Sequence, residues 1–499
     1  MLSAIFIIAS QSHRMSRLIT LYIKVYKASL CFGFLLTSNT RRTKLMGLLS
    51  KSVSFGTRRI PFCANTNSLY DFLIGMFIRG MDGKQYIDGG INRSINGATG
   101  RKHTFKSTFM LAMMLRATYY FSKRCEIILI DDEESVARDG DRVYKVGGVP
   151  ISKDQFTPYS GADITVSQAF DALINVCNIK KEHEKEYLTK IPLLDPNTGK
   201  NAEVFVPTFY SVDTISNLRD TSEEEMLKTG ASMDDGKANT IFMKPGRNKT
   251  VFTTALNAKC SEMGIYAFWC AHEGEVNEMG SVTPKPKQLG YMRQGYKIKG
   301  TGSKFDELTI PLIEVVSAKK LMGSDNASPM YGEPGTTEND QFEIVIQVLR
   351  GKMNASGISC PFVMSQSKGF LNDLTNYHFL RSNNYFGLVG NKQNHKNALM
   401  PDINITRNNI QENFDKSPQL RRAMEILAQL LFLQTKWNIE KIPCGFDINM
   451  TPEEMYKLMT AKKLTDRILN SRGYWCADDG AEPDKEYLSV PDIITLLKS

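Results

Sequence analysis

The sequence predicts an α/β protein, a mainly parallel sheet flanked by helices. Two patterns carry the prediction. Apolar runs of strand length recur, each closing on a polar or acidic residue, as buried parallel strands do. Helix-length segments separate them. A third observation fixes where a ligand would sit. Gly100-Arg101-Lys102-His103-Thr104-Phe105-Lys106-Ser107-Thr108 joins a glycine, a basic turn and a helix start. A phosphate-binding loop runs Gly, four residues, Gly, Lys, then Ser or Thr. Phe105 stands at the second glycine.

In that loop Gly100 opens a turn whose backbone N–H groups, from Arg101 to Thr108, can line an anion nest. Lys106 would reach the terminal phosphates of a nucleotide, and Ser107 would hold Mg²⁺. Phe109 to Tyr120 reads as the helix whose positive end faces the phosphates. The next strand, Glu126-Ile127-Ile128-Leu129-Ile130, closes on Asp131-Asp132-Glu133-Glu134. A later one begins after Pro207 and ends at Asp213-Thr214-Ile215; a carboxylate there can hold the hydration shell of Mg²⁺. A further strand, Gly264 to Ala271, ends at His272. Phe342 to Leu349 reads as a late strand followed by Arg350 and Lys352. Arg421 to Gln434 has helical periodicity, and Thr451-Pro452-Glu453-Glu454 is a helix start.

These motifs, in this order, resemble the RecA-type recombinases, closest to the UvsX group of tailed phages, whose loop also carries Phe before the lysine. The resemblance covers about residues 55–390 and is strong only at the motifs. Arg59-Ile60-Pro61, Asp88-Gly89-Gly90-Ile91 and Lys299-Gly300-Thr301-Gly302 add to it. It implies a RecA-like ATPase core using ATP and Mg²⁺. Glu133, two residues after Asp131, would polarise the attacking water, with Glu134 as a rival. Asp213 would help hold Mg²⁺, and His272 would sense the γ-phosphate. Arg350 or Lys352 would reach ATP in the next protomer. The expected partners are single-stranded DNA, then duplex DNA, further copies of the chain in a filament, a recombination mediator and a single-strand-binding protein. The expected activity is homologous pairing and strand exchange. A hexameric helicase shares the four motifs, and a non-hydrolysing DNA-binding filament protein is the alternative from another class.

The stretch from Glu273 to Phe305 is the main candidate for contacting DNA. It carries Lys285, Lys287, Arg293, Lys297, Lys299 and Lys304, interleaved with Tyr291 and Tyr296. Cations neutralise phosphates and aromatic faces stack on unpaired bases. A second candidate, behind the acidic run Asp220 to Glu225, holds Lys237, Lys244, Arg247 and Lys249.

The chain of 499 residues is long enough for two or three domains. A hydrophobic content of 42% argues against global disorder. Nine scattered cysteines, without a C-x-x-C pair, read as reduced thiols in a cytoplasmic protein. Lys and Arg number 62 against 53 Asp and Glu, a mild excess that permits binding to a phosphate backbone. Leu18 to Ser38 is apolar but interrupted by Lys24 and Lys27, so no membrane span is expected. Residues 1–45 read as an upstream extension before Met46-Gly47, 46–85 as an oligomerisation segment, 86–390 as the ATPase core and 391–499 as a mainly helical region. The apolar stretch Leu69 to Ile78 suits either a neighbouring subunit or the chain's own core. Tyr474 and Trp475 beside Arg472 read as part of a small core, with a DNA-gathering surface as the alternative.

Overall fold

The structure, a computed structural model, describes residues 62–499 except 136–139, 196–198, 222–235, 277–286, 324–327, 333–338, 353–355 and 438–446; for 236–245 it describes the backbone alone. Its frame is one nine-stranded sheet. In chain order the strands are β1 (Ile95–Gly100), β2 (Glu126–Asp131), β3 (Phe156–Ser160), β4 (Thr208–Asp213) and β5 (Ile265–Cys270). A hairpin of β6 (His272–Glu275) and β7 (Tyr296–Lys299) lies outside the sheet. Then come β8 (Thr309–Lys320), β9 (Gln341–Arg350), β10 (Ser359–Ser365) and β11 (Gly369–Phe370). The spatial order is β11-β10-β9-β8-β1-β5-β4-β2-β3. From β8 to β3 every pairing is parallel; β9, β10 and β11 add an antiparallel wing.

Alternation along the strands builds three layers. Tyr266, Phe268 and Cys270 of β5 face one apolar cluster, while Ile265, Ala267 and Trp269 face the other. The first cluster holds helices α1 (Leu69–Ile74), α2 (Lys106–Phe121), α5 (Asn372–Ser382) and α6 (Pro418–Lys436). The second holds α3 (Val166–Glu182) and the C-terminal part of α4 (Gly236–Met263). The sequence Ile-Asn-Gly-Ala-Thr-Gly of β1 is polar for a central strand, yet all six residues are buried. Asn96 makes this tolerable: its amide nitrogen donates to the carbonyls of Asn92, Ser94 and Ala267 at 2.8, 3.2 and 2.8 Å. Gly97 lets β8 approach, since a Cβ there would lie 2.4 Å from Thr309 Cγ2.

Two joints fix the layers. Lys180 of α3 is 1% exposed and donates to Val206 O (2.8 Å), Thr208 Oγ1 (3.1 Å) and Gly264 O (3.2 Å), tying the helix to the starts of β4 and β5. On the other face every residue of α1 is buried, so the stretch expected to serve a neighbour or the chain's own core contributes to the core here. Asp71 of α1 caps Thr66 through its backbone N–H (2.9 Å) and hydroxyl (2.7 Å). Asp88 accepts from Cys63 N–H at 2.5 Å. Burial pushes both carboxyls up to about 7. Tyr474 and Trp475 are likewise buried, and Trp475 Nε1 donates to Ile87 O at 2.7 Å. Edge strand β3 pairs with β2 alone among the described residues and carries Pro158 at its centre. All seven described cysteines are buried. No helix among the described residues is long and apolar enough to cross a membrane.

Candidate functional site

Parallel pairing places the carboxyl ends of β1, β2, β4 and β5 at one edge of the sheet. In open α/β sheets, ligands bind outside those ends, where the strand order reverses. Here β1 is that point: the chain leaves it for the β2 side and returns past it to β8.

The loop after β1 is built for close approach. Gly100 has φ +148°, and a Cβ there would lie 2.8 Å from Val315 O. His103 and Phe105 both adopt the left-handed conformation, at φ 60° and 65°. Left-handed residues alternating with ordinary ones turn backbone N–H groups into a concavity for anions. Phe105 thus does with a side chain what the missing glycine does without one. Its ring packs on Phe342 of β9, with 4.9 Å between centroids. Phe105 is also the N-cap of α2 and supplies no side-chain cap, leaving the first N–H groups of a 16-residue helix for a ligand.

Lys106 begins α2. It is 6% exposed, and its ammonium donates to the Arg101 carbonyl at 2.6 Å. Thr104 Oγ1 donates to the same carbonyl at 2.8 Å. Arg101, Lys102 and His103 are exposed on the rim, and Thr108 lies half-buried on the first turn. Ser107 Oγ donates to Asp213 Oδ1 at 2.8 Å, joining the helix start to the end of β4.

Behind β2, Asp131 accepts from the Ser135 N–H (3.2 Å), the Ser135 hydroxyl (3.1 Å) and the Ser160 hydroxyl (3.2 Å). Glu133 Oε1 lies 3.3 Å from His272 Nε2 and accepts from Asn217 Nδ2 at 3.0 Å. Of the two adjacent glutamates it is therefore Glu133 that meets His272. The hydrogen bond from His272 holds the Glu133 carboxyl below its usual range. His272 in turn donates its backbone N–H to Ser216 Oγ at 2.9 Å.

Asp132 accepts from the Thr214 N–H and is a site residue that pattern reading missed. Burial pushes Asp132 and Asp213 each up to about 7, with the neighbouring carboxylates adding to the shift. Asp132 Oδ2 and Thr214 Oγ1 are buried without a hydrogen-bond partner among the described residues. Glu273 is a second omission: burial, then the charge of Glu314, raises it to about 7 on the Lys106 side of the loop. Its only sequence signal is its place beside His272.

This donor set fits a Mg²⁺-bound nucleoside phosphate. Buried carboxylates short of positive charge, with a serine hydroxyl between helix and strand, offer hard oxygen ligands. The nest, helix start and Lys106 suit phosphate. Among the described residues no three His, Cys, Asp or Glu side chains form a metal-holding group; Mg²⁺, which keeps several waters, needs fewer.

The basic candidates divide. Tyr296, Lys297 and Lys299 lie on β7, which pairs with β6 so that His272 is opposite Lys299 and Glu275 opposite Tyr296. Lys297 and Lys299 are exposed on either side of buried Ile298. Tyr291 is 52% exposed, and Lys287 is exposed too. Lys304 pairs with Glu307. Tyr296 is not the free stacking face expected: the guanidinium groups of Arg293 and Arg101 lie 4.7 and 5.5 Å from its ring centre. Lys249 departs from expectation as well. It is 4% exposed and its ammonium donates to Ser216 O (3.1 Å) and Gly300 O (2.9 Å), a structural brace without a free charge for DNA. Arg247 is exposed. Arg350 donates to the Asp306 carbonyl, and Lys352 is exposed. Lys285, and the side chains of Lys237 and Lys244, fall outside the described residues.

No family model matches the chain, and no curated protein does.

Proposed function

We propose that the chain is an ATP-dependent DNA recombinase of RecA type, assembling on single-stranded DNA. The observation that carries the reading is the cluster at the strand ends: Ser107 bonded to Asp213 at 2.8 Å and Glu133 facing His272 at 3.3 Å, beneath a left-handed loop holding Lys106. Bound Mg²⁺ would offset the charge of the phosphate oxygens. The chain's own groups do the rest by position and charge rather than covalent chemistry. The loop N–H groups and Lys106 hold the phosphates. Ser107 and Asp213 are the groups that would hold the metal. Glu133, kept ionised by His272, is the acceptor that orients a water and takes up its proton. His272 then has a choice between Glu133 and the terminal phosphate, which makes it sensitive to the ligand. The exposed cations of β7, continuous with His272 through the hairpin, support the DNA part of the reading.

The test is ATP hydrolysis without DNA, with single-stranded DNA and with duplex, beside Lys106→Ala. Stimulation by single-stranded DNA, lost in the variant, is expected, with filaments in electron micrographs. Rings would favour the helicase. Absence of hydrolysis under every condition overturns the enzymatic reading and leaves a DNA-binding or structural role.

A further inference from the structure

A side-chain contact of Arg101 on Tyr296, at 5.5 Å, joins the loop after β1 to the hairpin. Both ends of that contact are held. The Arg101 carbonyl receives the Lys106 ammonium and the Thr104 hydroxyl, which fold the loop back on itself. The Tyr296 hydroxyl donates to Glu275 Oε1 at 2.7 Å, across the hairpin. Arg293 shares the same ring at 4.7 Å. Lys106, the group a phosphate would need, is thus spent on the carbonyl of the residue that covers Tyr296.

We infer that Arg101 and Tyr296 form a latch between loop and hairpin, released when a phosphate-bearing ligand enters the loop. The inference rests on the proposed nucleotide site and names how that site governs the hairpin. A phosphate is a charged acceptor and forms stronger hydrogen bonds than a neutral carbonyl, so it draws Lys106 off Arg101 O. The exposed Arg101 guanidinium sits on the same rim, and a paired, forked contact to phosphate outcompetes its solvent-screened contact with an aromatic face. Once Arg101 leaves, Tyr296 loses one of its two guanidinium neighbours. The β6–β7 ladder loses the tie to the loop that Tyr296 provides. The ring, left with Arg293 alone, is then more open beside Lys297 and Lys299, a surface suited to an unpaired nucleotide strand. Arg101 and Tyr296 are positioning residues in this scheme: they act through the hairpin.

Hydrogen exchange of the backbone amides of 296–299 reads the latch directly. In the full chain without nucleotide, Arg101→Ala and Tyr296→Leu should each raise exchange at least fivefold, while Tyr296→Phe, which keeps the ring and loses only the Glu275 bond, should raise it less than Tyr296→Leu. A non-hydrolysable ATP analogue with Mg²⁺ should raise exchange of the parent to the level of Arg101→Ala and leave that variant unchanged. Parent-like exchange in both Arg101→Ala and Tyr296→Leu overturns the latch, whatever the nucleotide does. A fluorescent-nucleotide titration run in parallel separates the two failures. Saturable binding with no change in hairpin exchange overturns the latch alone; no binding overturns the site and the latch with it.

Discussion

Replacing Phe105 separates two effects that usually travel together. A left-handed conformation costs a side-chain-bearing residue about 1–2 kcal/mol. At Phe105, with φ 65°, the ring offsets this through its contact with Phe342, an aromatic pair contributing about 0.5–1.5 kcal/mol, plus about 1 kcal/mol for a half-buried ring. Phe105→Ala removes the ring and keeps the backbone cost, a loss of about 2 kcal/mol. Phe105→Gly loses the same contacts and a further 0.5–1 kcal/mol or so of backbone entropy, but recovers the left-handed cost. The glycine variant should therefore be the more stable by about 0.5–1 kcal/mol, the reverse of the usual helical order. Urea unfolding midpoints of the two variants measure the difference. Thr108→Ala and Thr108→Gly, within the first turn of α2, are the control and should rank alanine first. A Phe105→Ala variant as stable as Phe105→Gly would refute the left-handed assignment, and with it the nest.

Two other expectations concern the frame. Lys180→Met should destabilise the protein by about 1–3 kcal/mol in urea, because the buried Val206 carbonyl loses the ammonium and the Gly264 carbonyl keeps only the Thr208 N–H; a loss under 1 kcal/mol would mean that water replaces the ammonium. Burial raises the carboxyls of Asp71 and Asp88 from 3.8 to about 7, so the stability they contribute is complete below about pH 4 and is lost as pH rises towards 7. The limit is about 4 kcal/mol for each. Asp88→Asn should flatten the fall in unfolding midpoint between pH 4.5 and 7.5, and a slope equal to the parent's would refute the assignment.

Much of the frame was legible because buried parallel strands advertise themselves. β2, β4 and β5 are nearly continuous apolar runs; Asp131 and Asp213 close the first two side by side, and His272, two residues past the third, meets Glu133. The start of β4 after Pro207 and the Thr451 cap were equally plain. The rest fails for identifiable reasons. The hairpin β6–β7 offers only two four-residue strands: His-Glu-Gly-Glu has no apolar residue, and Tyr-Lys-Ile-Lys has two, of which Ile298 joins the second cluster. Composition marks Lys249 and Tyr296 as DNA contacts, but burial and neighbouring groups decide what they do, and these come from distant segments: Ser216 and Gly300 for the lysine, Arg101 for the ring. Phe105 looked like a defect in a motif because backbone conformation is not written in residue type.

The proline at the centre of β3 has a consequence for solubility. An edge strand with a free row of donors and acceptors is a template on which a stranger's strand can grow. Proline cannot donate, and in a strand paired on one side it belongs where its nitrogen faces outward. Pro158 therefore leaves a gap in the outer ladder of Phe156–Ser160, and a strand of arbitrary sequence laid there would bridge an unmet carbonyl. The sheet thus stays finite at that margin: a concentrated solution of this protein has one fewer route into ribbon-like aggregates, through an atom that is missing from a single residue.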